Sequence, residues 1–528
     1  MKRLKPSTIA SSRQHFHPLL LNRPITRLPP SIPSNRQFTT SIPPHQSTNP
    51  TDNTPPPPPQ PPKNVNKTLH HTIATQTGLY STLPYSPGSP FFLPHGTRIF
   101  NRLIEFLRAQ YALYGFQEVI TPTIFNDALW EKSGHLENFR DDMFRVISGK
   151  RKVAKRLEGE GEVGKGLNAG VGEEEGDGEE EGGYSLKPMN CPGHCLLYKV
   201  RGHGYSDLPL RFAEFAPLHR DEIRSALTGL TRVRRFHQDD AHIFCRRDQI
   251  ATEISSTLSM LETVYSVFGL TNYKFLLSTR PEKYMGSLND WEKAEEALKE
   301  SLESTGRKWS VNEGDGAFYG PKIDVILVDA QGRELQTATV QLDFQLPQKF
   351  ELSYDAAAPN NTDNTEESSG GGGGNGIKET PVIIHRAIFG SLERFMALLI
   401  EKYEKRWPFW MSPRQVKIIP VSTKNQEIQA FAKKTRDVLA GVVTGEKRQV
   451  MGKRTFYVDL EERNLRLNKS IREAKNDGYN VIVVIGEEEV RSGEVGWDVW
   501  EEGKYVKKGV EGVEGVYQKL VQMEAEYQ

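Results

Sequence analysis

The sequence predicts a larger domain of mixed helices and strands over residues 69–412, followed by a small α/β domain over residues 413–528. Three observations lead there. The chain has 528 residues, too many for one ordinary core. Between Leu69 and Ser412 helical and extended patterns are interleaved, with no internal repeat. After Pro413, short apolar runs at Val416 to Val421, Phe456 to Leu460 and Val481 to Ile485 alternate with a helical pattern carried by Ile428, Phe431, Val438 and Leu439. Strand–helix alternation of this kind marks a separate α/β unit.

The first 68 residues are expected to stand outside both domains. From Met1 to Thr51 there is no Asp or Glu, whereas Lys2, Arg3, Lys5, Arg13, Arg23, Arg27 and Arg36 supply positive charge and Ser and Thr are abundant. A basic, hydroxyl-rich, acid-free start has the composition of a mitochondrial transit peptide, whose charge an energised inner membrane draws inward. Arg36-Gln37-Phe38-Thr39 resembles a matrix-protease cleavage site, so residues 1–38 are assigned as the presequence and the mitochondrial matrix as the destination. Residues 39–68 read as a disordered Pro-rich linker, stiffened by Pro55 to Pro59 and Pro61 to Pro62.

Within the larger domain, Ile99, Leu103, Phe106 and Leu113 recur at helical spacing, and Gly115 is placed to end that helix. Pro209 to Phe244 reads as two extended runs around a polar loop at Asp221 to Gly229. Ile388, Leu392, Phe395 and Leu399 mark a further helix. Two segments, near 159–183 and 356–376, are rich in Glu and Gly or in Asn, Thr, Ser and Gly. Neither can bury much apolar area, so both read as disordered surface insertions. Formal net charge is zero, so any nucleic-acid surface must be local. Three cysteines exclude a disulfide scaffold and suit a reducing compartment. No apolar run reaches the length of a membrane span, which predicts a soluble chain.

The run Thr231 to Cys245 carries the densest chemistry. If it is one strand, Arg232, Arg234, Phe236, Gln238, Asp240 and His242 share a face. A face packed on a core would not line up two cations, an amide, an acid and an imidazole around one phenyl ring. Such a set suits a ligand: Arg for phosphate, Phe for stacking, Gln and Asp for polar groups, His for a metal. For any one of these residues the plainer reading is a solvated polar face.

Beyond that run, Met189-Asn190-Cys191-Pro192-Gly193-His194, Leu218-His219-Arg220-Asp221-Glu222 and Gln238-Asp239-Asp240-Ala241-His242 resemble the threonyl-tRNA synthetase family. Phe318-Tyr319-Gly320-Pro321-Lys322, Thr339-Val340-Gln341-Leu342-Asp343 and His385-Arg386-Ala387 continue the match, which runs from about Leu69 to the C-terminus. The resemblance implies an α+β catalytic domain of the class II synthetase type, an antiparallel sheet flanked by helices, joined to a C-terminal α/β anticodon-binding domain. It also implies a homodimer, with Pro122 at the interface.

By the same resemblance Arg220 grips the α-phosphate of ATP with Glu222 nearby, Arg232 reaches the γ-phosphate, and Phe236 stacks on adenine beside Val233. Arg394 belongs to the third motif, Gln336 and Thr339 contact adenosine, and Lys322 lies near the reacting groups. Magnesium should bridge the phosphates, with no dedicated cage visible. Adenylation builds charge on the α-phosphate, which fixed guanidinium forks stabilise without reorganising. Because Thr339 and Gln341 are two apart, one strand presents both; Gln336 breaks that parity and needs a bulge.

Cys191, His242 and His385 match the family's zinc ligands. Three ligands leave coordination positions open, as a functional zinc requires, and threonine's amino and hydroxyl groups can take them. Met189, Gln238, Asp240, Tyr319, Gln341 and Ala387 would complete the threonine pocket. Cys195 and Cys245 have no matched role and read as structural. A histidine that would assist transfer to tRNA is not matched either; His95 is close by but out of register.

In the C-terminal domain Lys453, Arg454, Arg463, Arg466, Lys469 and Arg472 concentrate positive charge where anticodon bases of tRNA(Thr) would be read. The expected activity is ATP-dependent attachment of threonine to mitochondrial tRNA(Thr), without a hydrolytic editing domain, since only residues 63–68 separate Pro62 from Leu69. A catalytically inactive RNA-binding relative is the alternative. It would be expected to lose its phosphate arginines or zinc ligands, and Arg220, Arg394, Cys191, His242 and His385 are all present.

Overall fold

The computed structural model describes residues 69–147, 183–328, 332–356, 377–442 and 454–528. The segments read as presequence (1–38) and linker (39–68), and nearly all of those read as insertions (near 159–183 and 356–376), lie outside the described residues.

Eight strands form the central sheet: β1 (Gln117–Glu118), β2 (Leu210–Glu214), β3 (Asp240–Cys245), β4 (Tyr273–Ser278), β5 (Trp309–Asn312), β6 (Lys322–Val328), β7 (Glu334–Asp343) and β8 (Val382–Ala387). Their order across the sheet is β5-β4-β6-β7-β8-β3-β2-β1. Pairing is antiparallel except at the two edges, where β5 runs parallel to β4 and β1 parallel to β2. Period-two alternation sends one side of the strands into the main core. Ala241 and Ile243 on β3, Val340 and Leu342 on β7, and Val382 and Ile384 on β8 point into the main core.

Helices cover that apolar side. Ile99, Leu103 and Phe106 of α1 (Pro94–Leu113) are buried as the spacing predicts. Leu113 is not: it lies in the last turn and is 78% exposed, while Leu107 and Tyr111 complete the buried stripe. Gly115 ends the helix at φ +75, with its N–H donating to the Ala112 carbonyl and that of Phe116 to Tyr111. This paired cap needs a residue in the left-handed region, where glycine carries no Cβ penalty. The helix expected around Ile388 begins later, as α2 (Leu392–Tyr403), because Gly390 turns the chain at φ +68 and Ser391 caps the first turn. Ile388 is therefore a buried turn residue.

The expected pair of extended runs around a polar loop is present, but each run is broken in two. Leu210–Glu214 and Asp240–Cys245 join the central sheet, whereas Pro217–His219 pairs only with Arg235–His237. Thr231 to Cys245 is consequently not one strand, and of the shared face inferred for Arg232 through His242 the strand carries only Asp240 and His242.

Beyond Pro413 a second sheet contains β9 (Val416–Pro420), β10 (Val458–Leu460), β11 (Val481–Ile485), β12 (Glu494–Glu501) and β13 (Lys504–Gly512). Its order is β10-β9-β11-β12-β13, with the first three parallel and the last two antiparallel. Around it a separate cluster, including Ile418, Ile428, Val483 and Trp497, forms its own core. The β12–β13 hairpin went unread in the sequence because β13 is mostly exposed and carries no clear alternation. Among the described residues no helix is long and apolar enough to cross a membrane.

Candidate active site

The polar side of the central sheet is assembled by strand register. His242 on β3 stands opposite His385 on β8, His385 opposite Gln341 on β7, and Gln341 opposite Lys322 on β6. One step along, Ala387 faces Thr339 and Thr339 faces Asp324. Residues spread over more than 140 positions of sequence thus form two adjacent cross-strand rows.

Cys191 opens the helix Cys191–Lys199, whose start lies over the β3–β8 row. Its sulfur and one nitrogen each of His242 and His385 lie within 4.8 Å of one another. One thiolate and two imidazoles are the N/S donor set that zinc takes. Burial, reinforced by Asp240, pushes the Cys191 thiol well up, so its thiolate form calls for a cation beside it. Burial also pushes His242 well down, helped by His194 and His385, and leaves the imidazole neutral as a ligand must be. The residues present fit the ion. His385 Nε2 meets Asp343 Oδ2 at 2.8 Å, and Asp343 is itself held by the N–H groups of Gln345 and Leu346.

Around the phosphate end, Arg220 follows the Pro217–His219 strand. Its guanidinium lies 5.1 Å from the centre of the Phe236 ring, and among the described residues no carboxylate comes within ion-pair distance of it. Burial lowers its pKa, with Glu222 acting against that. A half-buried guanidinium lacking a carboxylate partner is a prepared anion site. Arg394 occupies the first turn of α2, where the helix end adds positive potential; burial and then Arg232 lower its pKa. Arg232 is paired with Glu222 at 2.9 Å and is more than half exposed. Arg234, placed with the ligand residues by parity, instead pins the loop through Asp221 and the Glu222 carbonyl. Phe236 and Val233 pack against Leu218.

The bulge required by Gln336 is there. Val325 pairs with Ala338 but Ile326 pairs with Gln336, leaving Thr337 as the extra residue. Gln336 and Thr339 consequently both hydrogen-bond the Asp324 carboxylate. Lys322 reaches the same carboxylate at 3.0 Å.

In the expected amino-acid pocket, Asp240 accepts from Asn190 Nδ2 at 3.1 Å, and burial raises its pKa against the pull of His194 and His385. Gln341 donates to the Gly320 carbonyl at 3.0 Å, which docks the turn carrying Tyr319, whose ring lies 5.4 Å from that of His385. Met189 packs against the cluster that contains Cys191, and Ala387 is buried beside the His385 row. Gln238 bridges to Ser391 at the mouth of α2. Asp239, between the two pocket residues, points the other way: it is fully buried, accepts from Tyr111 and from the N–H groups of Ile388 and Phe389, and burial raises it to about 7.

Several groups at this site escaped the sequence reading. His135 is buried with Nε2 3.9 Å from Cys191 Sγ, and burial, with His385 next, lowers it to about 3. It is a neutral imidazole beside the pocket. By contrast, the nearby charged groups of His95 are Arg414, Arg98 and Asp459. Lys187, Glu214 and His194 form a buried chain running to His242. Only the acid that closes the extended run Leu210 to Glu214 hinted at it. Cys195 and Cys245 are free and buried, as expected of packing residues. In the second sheet's domain, Lys453 lies outside the described residues, and Arg454 and Arg463 are engaged by Glu524 and by Glu461.

Residues 174–403 match the tRNA synthetase class II core domain (G, H, P, S and T), and residues 415–519 match the anticodon binding domain. The chain is 48% identical over 422 residues to a protein of Schizosaccharomyces pombe named "Probable threonine–tRNA ligase, mitochondrial", covering 80% of this chain and 82% of that one. It is 42% identical over 438 residues to the mitochondrial threonine–tRNA ligase of Saccharomyces cerevisiae, covering 80% and 85%. Other curated relatives are longer, and the chain spans about half of their length (50–56%). A crystal structure of the RNA binding domain of threonyl-tRNA synthetase from Cryptosporidium parvum superposes with a TM-score of 0.72 at 37% identity, covering 86% of this chain and 98% of that one. A class II core, an anticodon-binding domain and near full-length likeness to threonine–tRNA ligases place this chain in the threonyl-tRNA synthetase family, as an aminoacyl-tRNA synthetase of class II.

Proposed function

We propose that this chain activates threonine with ATP and transfers it to mitochondrial tRNA(Thr) in the mitochondrial matrix, with zinc held by Cys191, His242 and His385 reading the amino acid. The observation that carries the reading is the convergence of Cys191, from its helix, on the cross-strand row of His242, His385 and Gln341, beside Asp240. Bound there, zinc supplies a Lewis acid with open positions for an amine and a hydroxyl. Asp240 offers a carboxylate to the ammonium group. Arg220, Arg394 and Arg232 hold the triphosphate with Glu222 among them, while Phe236, Thr339 and Gln336 border the adenosine, and Lys322 lies near the reacting groups. Magnesium, which the family uses with ATP, would bridge phosphates and water more than side chains.

Supporting a homodimer, the stretch around Pro122 leaves Ile120, just beyond edge strand β1, 87% exposed, and Ile124, in a separate three-stranded sheet, 47% exposed. Residues 69–412 are assigned as the catalytic domain and 413–528 as the anticodon-binding domain, in keeping with the two separate cores. Mitochondrial placement is supported by the acid-free start of the sequence and by the two fungal mitochondrial relatives. Removing residues 1–38 is expected to leave activity in vitro intact and to abolish import of a fluorescent fusion; mitochondrial fluorescence from the truncated form would refute the targeting assignment.

Amino-acid exchange kinetics test the pocket. Valine lacks the hydroxyl, and a site built to bind one should reject it by about 10⁴-fold. Serine lacks only a methyl, worth about 1–3 kcal/mol, so it should be activated roughly 10–200-fold less efficiently than threonine. A pocket that discriminated valine no better than serine would contradict the zinc reading.

A further inference from the structure

The zinc reading explains three ligands but not the chain of buried polar groups behind one of them. Lys187, Glu214 and His194 have side chains 0–1% exposed. Lys187 Nζ lies 2.9 Å from Glu214 Oε1 and 2.8 Å from Thr121 Oγ1. Thr121 also donates its backbone N–H to Glu214 Oε1 at 2.8 Å. On its other oxygen Glu214 meets His194 Nε2 at 3.1 Å, and His194 Nδ1 meets His242 Nδ1 at 2.7 Å. Burial works against charge on Glu214, yet the hydrogen bonds from His194, Thr121 and Lys187 outweigh it and hold the carboxyl below its usual range.

We infer that Glu214 and His194 are positioning residues that fix the tautomer of His242 and so present its Nε2 lone pair to zinc. This rests on the zinc reading above. Proton placement follows link by link. An ionised Glu214 can only accept, so His194 carries its proton on Nε2. With its one hydrogen on Nε2, His194 offers Nδ1 as an acceptor, and the 2.7 Å contact is then a donation from His242 Nδ1. His242 is left with an unprotonated Nε2. On the opposite ligand Asp343 does in one step what Glu214 does in two, accepting from the His385 Nε2–H and leaving Nδ1 unprotonated. Because Thr121 precedes Pro122, the same chain ties the metal ligand to the segment assigned to the subunit interface.

Glu214→Gln tests the direction of the relay. Lys187 and the Thr121 N–H both need an acceptor, so the new amide should turn its oxygen toward them and its NH₂ toward His194. His194 Nε2 must then accept, Nδ1 carries the proton, and His242 is driven to the tautomer with hydrogen on Nε2. Metal-free full-length protein, reloaded against a zinc chelator of known affinity, should bind zinc about 10–100-fold more weakly in this variant than in wild type. His194→Asn places an acceptor oxygen where Nδ1 stood and should keep affinity within a few-fold, whereas His194→Leu should lose as much as Glu214→Gln. Thermal melts of the metal-free proteins report folding, and if Glu214→Gln does not fold, the Asn and Leu pair decides. Wild-type affinity in Glu214→Gln, or equal loss in Asn and Leu, would overturn the relay while leaving zinc in place. Wild-type protein that holds no zinc would overturn the zinc reading and the relay together.

Discussion

Arg220→Ala is expected to lower threonine-dependent ATP–pyrophosphate exchange by about 10²–10³-fold, the loss that follows removal of one preorganised donor to a developing oxyanion. The melting temperature should change little. Among the described residues Arg220 has no carboxylate partner to strand: its contacts are the Phe236 ring and a long 3.5 Å approach to the Pro188 carbonyl. Desolvation of its half-buried charge carries a cost, so removing it relieves that cost as it removes the contact. Exchange rates near wild type in a folded Arg220→Ala protein would show that the α-phosphate is gripped elsewhere.

Cys191→Ala should be as severe and differ in kind. Purified wild-type protein is expected to carry zinc at roughly one per chain, as a single set of three ligands implies. The variant should carry almost none and lose threonine activation by at least about 100-fold. It leaves a small space at the start of the Cys191–Lys199 helix, a modest packing loss, so circular dichroism should remain native. Two histidines alone form a weak site, and removing the thiolate also removes the charge that favours a cation there. Full zinc content and full activity in Cys191→Ala would end the assignment of this residue as a ligand.

Proximity is legible in the sequence where chemistry recurs in a motif and the strand period does the rest. His242, His385 and Gln341 are distant in the chain, yet the register of β3, β8 and β7 sets them side by side. Gln336 was out of parity with Thr339, and the bulge at Thr337 repairs it. Parity misled where the backbone left the sheet. Arg234 shares its phase with Asp240, but it belongs to a loop and a short ribbon and holds Asp221 rather than a ligand. The residues behind the ligands were the least legible. Glu214, His194 and Lys187 are single polar residues in separate segments, and only folding reveals that they touch. His135 lies far from Cys191 in the chain because the intervening residues, which include the acidic insertion, disguise the proximity.

The most direct test of the account is ATP–pyrophosphate exchange by the zinc-loaded protein with each amino acid in turn. Threonine should support rapid exchange, serine should follow at a lower rate, and valine should be near background; stripping zinc should abolish the threonine signal, and adding it back should restore it. Exchange driven best by another amino acid, or threonine exchange indifferent to the metal, would contradict it.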